Sequence, residues 1–208
     1  MENNYENSYI KSIDKGLRNS ISMIDSNITN SNVFFDSLVK LLKNTEKNNG
    51  NIYFFGNGAS ASFSNHMALD WSKNGGILSF SLSDSSMLTA LANDYSYEEA
   101  FLEFLKINNP TEYDLVITTS SSGNSPNIVS VLEYCNKMNI NTLGFSGLKD
   151  DNKSVKLSKY SLYVPMKTYG MVECIHQVFH HLLLDKYMSV NEWEKLETQN
   201  MNSNNFKL

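Results

Sequence analysis

Five short apolar segments alternate with helical patterns between residues 51 and 190, and this alternation limits the possible folds more than any other feature. Apolar runs without a polar face are typical of strands that are buried on both sides of a sheet. Where helices separate such strands, the strands pair in parallel and the helices cover both faces. The sequence therefore predicts an α/β fold, a three-layer sandwich with a five-stranded parallel sheet flanked by helices. The predicted strands are 52–55, 77–82, 114–119, 141–146 and 160–165, and the predicted helices are 60–73, 97–107, 126–138 and 169–188.

A helical extension is predicted before this unit. Between residues 5 and 44, apolar side chains recur at spacings of three and four, which indicates a helical hairpin or a long helix broken near "NITNSN". We expect its apolar stripe to pack on its own domain or, as we favour, on a partner subunit. We place the N-terminal helical segment at 1–48, the main domain at 49–190 and a C-terminal tail at 191–208. The stripe consists of Ile10, Ile13, Leu17, Ile21 and Ile24, followed by Val33, Phe34, Leu38, Leu41 and Leu42.

Composition argues against several classes of function. The net charge is −5 and Arg18 is the only arginine, so the chain lacks the dense basic patch of a nucleic-acid-binding surface. No apolar stretch is long enough to cross a bilayer, and the polar N-terminus does not resemble a signal peptide. Cys135 and Cys174 lie far apart and form no CxxC pair, as is typical of thiols in a reducing compartment. We therefore expect a cytoplasmic protein that binds neither nucleic acid nor membrane.

Two loops rich in serine and glycine follow predicted strands. The first is "GNGAS" (56–60) and the second is "SSSGNSPN" (120–127). In the second loop Ser125 is placed to cap a helix and Pro126 to begin it, so free N–H groups and the positive end of the helix dipole face the loop. Either loop alone could be an ordinary turn, but two of them at the carboxyl ends of strands favour a cradle for a phosphate monoester. In the second loop, hydroxyl donors would come from Ser120, Ser121, Ser122 and Ser125.

All 4 histidines fall in two predicted helices. His66 and Asp70 share a face of the first helix at spacing i, i+4, and Glu173 and His181 share a face of the last. Two carboxylates and several imidazoles suit a zinc ion with an open coordination position, and they equally suit a general base with a general acid. The last helix also carries two histidines whose role, in the site or in the core, the sequence leaves open: His176 and His180.

Asp94 belongs to a third polar element. It lies in "LANDYSYEEAF" (91–101), which we expect to be a loop after the second strand. Its carboxylate is placed either to bind sugar hydroxyls or to cap the helix that follows, and the sequence does not decide between these roles.

Together these motifs resemble the SIS (sugar isomerase) superfamily, and specifically the bacterial phosphoheptose isomerases. The family's "GNGGSA…HFAAEL" is similar to "GNGASASFSNHMALDW", and its "STSGNSxNV" is similar to "SSSGNSPNI". Its "GNDxxF" is similar to "ANDYSYEEAF", and its C-terminal "QExHxxxxH" is similar to "ECIHQVFHH". The matches keep their order and spacing from about residue 51 to residue 181.

The resemblance implies the SIS fold and an aldose–ketose isomerase that interconverts sedoheptulose 7-phosphate and an aldoheptose 7-phosphate through an enediol. It further implies a zinc ion, a homotetramer assembled through the N-terminal helices, and a place in heptose biosynthesis for lipopolysaccharide or capsule. Asp70 and His181 would be the catalytic residues. The metal ligands would be His66, Asp70, Glu173 and His181, and the substrate or phosphate would be bound by Asn57, Gly58, Ser60, Asp94, Ser120, Ser121, Ser122, Ser125 and Glu173.

Three positions depart from the family pattern. Asp70 stands where the family has glutamate, Glu173 where it has glutamine, and Asn74 near the position of an arginine. The added negative charge favours a dication, and the shorter carboxylate leaves the identity of the sugar open. Two alternatives therefore remain. One is a non-catalytic SIS module that senses a phosphosugar or binds a protein partner, and the other is an enzyme that isomerises, epimerises or cleaves a different phosphosugar.

Overall fold

A computed structural model describes residues 4–191, so all of the predicted tail except its first residue lies outside the described residues. Eight helices and seven strands make up this part of the chain. In chain order they are α1 (Tyr5–Arg18), β1 (Ile21–Ile24), β2 (Asn27–Thr29), α2 (Ser31–Lys47), β3 (Ile52–Gly56), α3 (Ala59–Lys73), β4 (Ser79–Ser81), α4 (Ser85–Asp94), α5 (Ala100–Ile107), β5 (Leu115–Ser120), α6 (Pro126–Met138), β6 (Asn141–Gly147), α7 (Lys153–Leu157), β7 (Tyr160–Val164) and α8 (Tyr169–Met188).

One sheet runs through the molecule in the order β2-β1-β7-β6-β5-β3-β4. Strands β3 to β7 pair in parallel, and they are the five strands that the sequence predicts. Helices cover both faces of the sheet. The predicted fold class, an α/β three-layer sandwich, is confirmed.

The sheet has two further strands because β1 and β2 form an antiparallel hairpin beside β7. The prediction of helix across Ile21 and Ile24 is therefore wrong. Asp25 and Ser26 have φ values of 48° and 63°, the left-handed conformation that a two-residue hairpin turn needs at both central positions. Ser22 is buried opposite Leu162 of β7, so the N-terminal segment shares the sheet of the main domain.

The core consists of two apolar clusters, one on each face of the sheet. Because side chains alternate along a strand, Phe54 of β3 packs with α2, α3 and α8, whereas Phe55 packs with α5 and α6. Most of the N-terminal stripe that lies on α2 enters the first cluster, so it packs on its own domain: Phe34, Leu38 and Leu42 are buried there and Leu41 packs against them, whereas Val33 is exposed.

Two helices of the structure, α4 and α7, were not predicted from the sequence. Asp84 accepts a hydrogen bond from the backbone N–H of Met87 at 2.8 Å and begins α4, so Asp94 is the last residue of a helix and does not lie in a loop. Asn152 caps α7 in the same way, accepting from Val155 at 3.0 Å. Both caps are signals that sequence reading can use. None of the described helices has the length and apolarity needed to span a bilayer.

Candidate active site

The first serine-glycine loop leaves β3 at the carboxyl edge of the sheet. Gly56, the last residue of β3, pairs with Thr119 on β5, so the two loops leave neighbouring strands. A Cβ atom at Gly56 would lie 2.6 Å from the backbone of Ser60, which explains why glycine is needed at this close approach. Gly58 has a φ of 57° and precedes α3 as its N-terminal cap. The chain thus turns within three residues from the strand into the helix that carries the buried Ser60.

The second loop folds back on itself between β5 and α6. Ser125 occupies the cap position and Pro126 begins the helix, as predicted, but the Ser125 hydroxyl lies 3.3 Å from the hydroxyl of Ser120 and does not cap the helix. The Ser121 hydroxyl is buried, and among the described residues it has no hydrogen-bond partner. Ser122 is partly buried, and its hydroxyl accepts from the backbone N–H of Asn124 at 3.3 Å. The four predicted serines therefore follow β5 at one edge of the sheet, the hydroxyls of Ser120 and Ser125 lie together, and that of Ser121 is a buried donor.

An amide pair joins the two loops. The side chains of Asn57 and Asn127 exchange two hydrogen bonds of 2.9 and 3.0 Å, and the Tyr97 hydroxyl donates to Oδ1 of Asn57 at 2.8 Å. The sequence analysis gave no separate role to Asn127 or Tyr97, since their positions in the sequence do not reveal contacts with Asn57 across 70 and 40 residues. Asp94, three residues before Tyr97, is exposed, and its carboxylate accepts from the side chain of its neighbour Asn93 at 3.0 Å.

An imidazole–carboxylate cluster lies on α3 and α8. His66, Asp70 and His181 each offer one ligand atom, and these atoms lie within 4.8 Å of one another. Nε2 of His66 is 3.2 Å from Oδ2 of Asp70, and the rings of His66 and His181 have centroids 5.3 Å apart. Two imidazole nitrogens and one carboxylate oxygen match the donor set of a catalytic zinc site with an open position. Glu173, predicted as a fourth ligand, is not part of this group.

Two hydrogen bonds hold α8 against the sheet close to His181, and a third lies within α8. The side chain of Gln177 contacts Nε2 of His181 at 2.8 Å, and Nε2 of His180 lies 2.9 Å from the Thr119 hydroxyl. Nε2 of His176 lies 3.1 Å from the backbone oxygen of Ser146 on β6. Helix α8 is thus attached to β5, from which the second serine loop emerges, and to the neighbouring strand β6.

The two histidines left open by the sequence belong to the core. Desolvation lowers the pKa of His176 to about 4 and that of His180 to about 3, and for His180 the neighbouring imidazoles act in the same direction. Both imidazoles are therefore neutral at pH 7. Their contacts with Thr119 and Ser146 give them a structural role behind the cluster.

The comparisons with known proteins agree with this architecture. The SIS domain family matches residues 17–147. A phosphoheptose isomerase of Helicobacter pylori (strain Shi470) is 37% identical over 156 residues, which cover 71% of this chain and 79% of that protein.

Solved structures show the same fold. That of a phosphoheptose isomerase from Neisseria gonorrhoeae has a TM-score of 0.74 at 22% identity and covers 89% of this chain and 96% of its own. One from Francisella tularensis has a TM-score of 0.74 at 17% identity, covering 91% of this chain and 99% of its own. The resemblance first seen in four short motifs is confirmed along most of the sequence, and the chain belongs to the phosphoheptose isomerase family of SIS-domain proteins.

Proposed function

We propose that this protein is an aldose–ketose isomerase that converts sedoheptulose 7-phosphate into an aldoheptose 7-phosphate. The proposal rests on family membership and on one structural observation. His66, Asp70 and His181 converge on α3 and α8, which pack on one face of the sheet, and α3 directly follows the first of two serine-rich loops that leave neighbouring strands. A bound phosphosugar needs such a pairing, because its phosphate is held by one group of residues while its carbonyl end meets another.

The serine loops are assigned to the phosphate. The hydroxyls of Ser120, Ser121 and Ser125, the N-terminal end of α6, and Ser60 on the first turn of α3 supply donors without any basic side chain. Ser122 is assigned to the same phosphate-binding residues. Asn57 and Gly58 give the first loop its shape. Asp94 is assigned to the sugar hydroxyls.

Asp70 and His181 are assigned to the proton transfers. Starting from the ketose, the Asp70 carboxylate takes a proton from C1 while His181 gives a proton to the carbonyl oxygen on C2, which yields an enediol. Return of a proton to C2, with removal of the proton from the C1 hydroxyl, yields the aldose. The two steps conserve atoms and charge, and they require an acid and a base on one side of the substrate, as the cluster provides.

Zinc fits the same cluster. Its ligands would be His66, Asp70 and His181, and the ion would polarise the substrate carbonyl as a Lewis acid; Glu173, predicted as a fourth ligand, lies on the same helix as His181 but outside this group. Asp70 and His181 thus each have two assigned roles, and a metal titration combined with kinetics separates them.

Assembly and location complete the proposal. Tyr5 and Ile10 on α1 are 74% and 66% exposed, and Leu69, Val178 and Leu182 leave apolar surface next to the cluster on α3 and α8. Contacts between copies of the chain would cover this apolar surface. This supports a homotetramer formed through the N-terminal helices. We place the enzyme in the cytoplasm, in the supply of heptose for lipopolysaccharide or capsule.

Proton NMR in heavy water tests the function. Zinc-supplemented protein is incubated with sedoheptulose 7-phosphate, and we expect an aldoheptose signal with deuterium at C2. Asp70→Asn and His181→Gln should abolish both, whereas Asp185→Asn, an exposed carboxylate on the same helix as His181, should retain them. No product and no exchange with a protein that still binds the sugar phosphate would overturn the assignment and favour a sensory module.

A further inference from the structure

The two oxygen atoms of the amide pair between Asn57 and Asn127 are saturated by contacts within the protein. Oδ1 of Asn57 accepts from Asn127 and from Tyr97, while Oδ1 of Asn127 accepts from Asn57 and from the backbone N–H of Ile128 at 3.0 Å. An amide oxygen has two lone pairs, so neither oxygen has one left for a substrate. Asn127 is also buried. The pair therefore connects the two phosphate loops to each other.

Tyr97 adds a third segment to this connection. It lies in the stretch 95–99 between α4 and α5, directly after Asp94, and it is 52% exposed. Its hydroxyl reaches Asn57 at 2.8 Å, and its ring lies 6.5 Å from that of Phe101, centroid to centroid. A half-exposed aromatic whose polar end binds the loop network is well placed to hold its own segment in position.

We propose that Tyr97 is a positioning residue, which fastens the segment following Asp94 to the phosphate loops through Asn57 and thereby holds the sugar-binding side of the site in place. This inference deepens the proposed function, on which it rests. Loss of the Tyr97 hydroxyl leaves the amide pair and both loops joined, so phosphate binding should be unaffected. The segment beyond Asp94 loses its attachment, so binding of the whole phosphosugar should weaken.

Tyr97→Phe removes a single oxygen atom from a half-exposed side chain and keeps the ring contact with Phe101. Tyr95→Phe is the matched control, because it removes the same atom from an exposed tyrosine two residues away in the same segment. For Tyr97→Phe we expect the KM for sedoheptulose 7-phosphate to rise about fivefold, the effect of one hydrogen bond, with kcat unchanged. The dissociation constant of inorganic phosphate, measured by calorimetry, should equal that of the wild type.

Hydrogen exchange supplies a readout that does not depend on turnover. The backbone amides of residues 95–99 should exchange faster in Tyr97→Phe than in the wild type or Tyr95→Phe. Equal exchange in the three proteins would overturn the proposal, and so would a Tyr97→Phe variant that loses phosphate affinity as strongly as sugar-phosphate affinity. If the wild type produces no aldoheptose, the proposed function fails, and the exchange rates still decide the role of Tyr97.

Discussion

Thr119 and His180 are joined by a buried hydrogen bond, with 2.9 Å between the Thr119 hydroxyl oxygen and Nε2 of His180. Thr119 precedes the first serine of the second phosphate loop, and His180 precedes His181 of the imidazole–carboxylate cluster. The ring of Phe145 on the next strand packs against His180 with centroids 4.2 Å apart. This contact therefore sets the position of α8 relative to the loop on β5.

Replacing Thr119 tests the strength of this contact. Thr119→Val keeps the shape of the side chain and removes the hydroxyl, so His180 is left buried with its Nε2 unpaired. We expect the free energy of unfolding to fall by about 1–3 kcal/mol. Thr119→Ser, which keeps the hydroxyl, should lose less. Urea denaturation measures both variants, and equal stabilities for the two would show that the hydrogen bond is not what stabilises this position.

The buried imidazoles predict how stability depends on pH. In the unfolded chain a histidine takes up a proton near pH 6.5, whereas in the folded protein the pKa of His176 is lowered to about 4. The unfolded state therefore binds more protons between these values, and stability is complete above pH 6.5 and falls as the pH decreases towards 4. One such histidine contributes a slope of about 1.4 kcal/mol per pH unit in this range.

His176→Gln measures that slope, because glutamine has an N–H to offer the Ser146 carbonyl and no group that titrates. Urea denaturation at pH 7 and pH 5 should show a smaller loss of stability for the variant than for the wild type. Parallel losses in the two proteins would mean that other groups carry the pH dependence.

Most of the sheet could be predicted from the sequence because its strands are apolar on both faces. The helices 126–138 and 169–188 were predicted with the observed bounds, aided by Pro126 at a helix start. The hairpin at 21–29 could not be predicted, since its short strands do not alternate and are stabilised by pairing with β7, more than 130 residues away. Helix α4 was not predicted, although its N-terminal cap, Asp84, is a signal that the sequence contains.

Only the contacts within a single helix of the site could be predicted from the sequence. The spacing of four residues on one helix places His66 and Asp70 side by side. The approach of His181 depends instead on how α8 packs beside α3. Glu173 shares a face of α8 with His181, but eight residues correspond to about 12 Å along the axis, which explains why a shared face does not bring it into the cluster. Tyr97 and Asn127 meet Asn57 only through the tertiary fold.

Zinc binding should depend on the three clustered residues. After treatment with a chelator, we expect added zinc to bind at one ion per chain and to raise the melting temperature, since a ligand present at about 100 times its Kd stabilises the folded state by about 2.7 kcal/mol. Asp70→Asn should abolish the shift, and the exposed Asp185→Asn should retain it. Because Glu173 lies outside the group, Glu173→Gln should change the zinc affinity far less than Asp70→Asn. A larger effect of Glu173→Gln would assign Glu173 as a principal ligand.

We expect Ser121→Ala to weaken phosphate binding without lowering the stability of the fold. The Ser121 hydroxyl is buried and, within residues 4–191, makes no hydrogen bond, so Ser121→Ala breaks no bond within the protein and should not lower the free energy of unfolding. A hydrogen bond to a charged phosphate contributes about 1.5–3 kcal/mol, so the affinity for inorganic phosphate should fall about 10- to 100-fold.

Ser154→Ala is the matched control for this prediction. The Ser154 hydroxyl on α7 is also buried and likewise lacks a partner in the part of the chain that the structure describes, and it lies outside both phosphate loops. Calorimetry with inorganic phosphate should therefore show a loss for Ser121→Ala and none for Ser154→Ala. Equal phosphate affinity in the two variants would remove Ser121 from the phosphate site, because a donor held unpaired for the ligand must weaken binding when it is deleted.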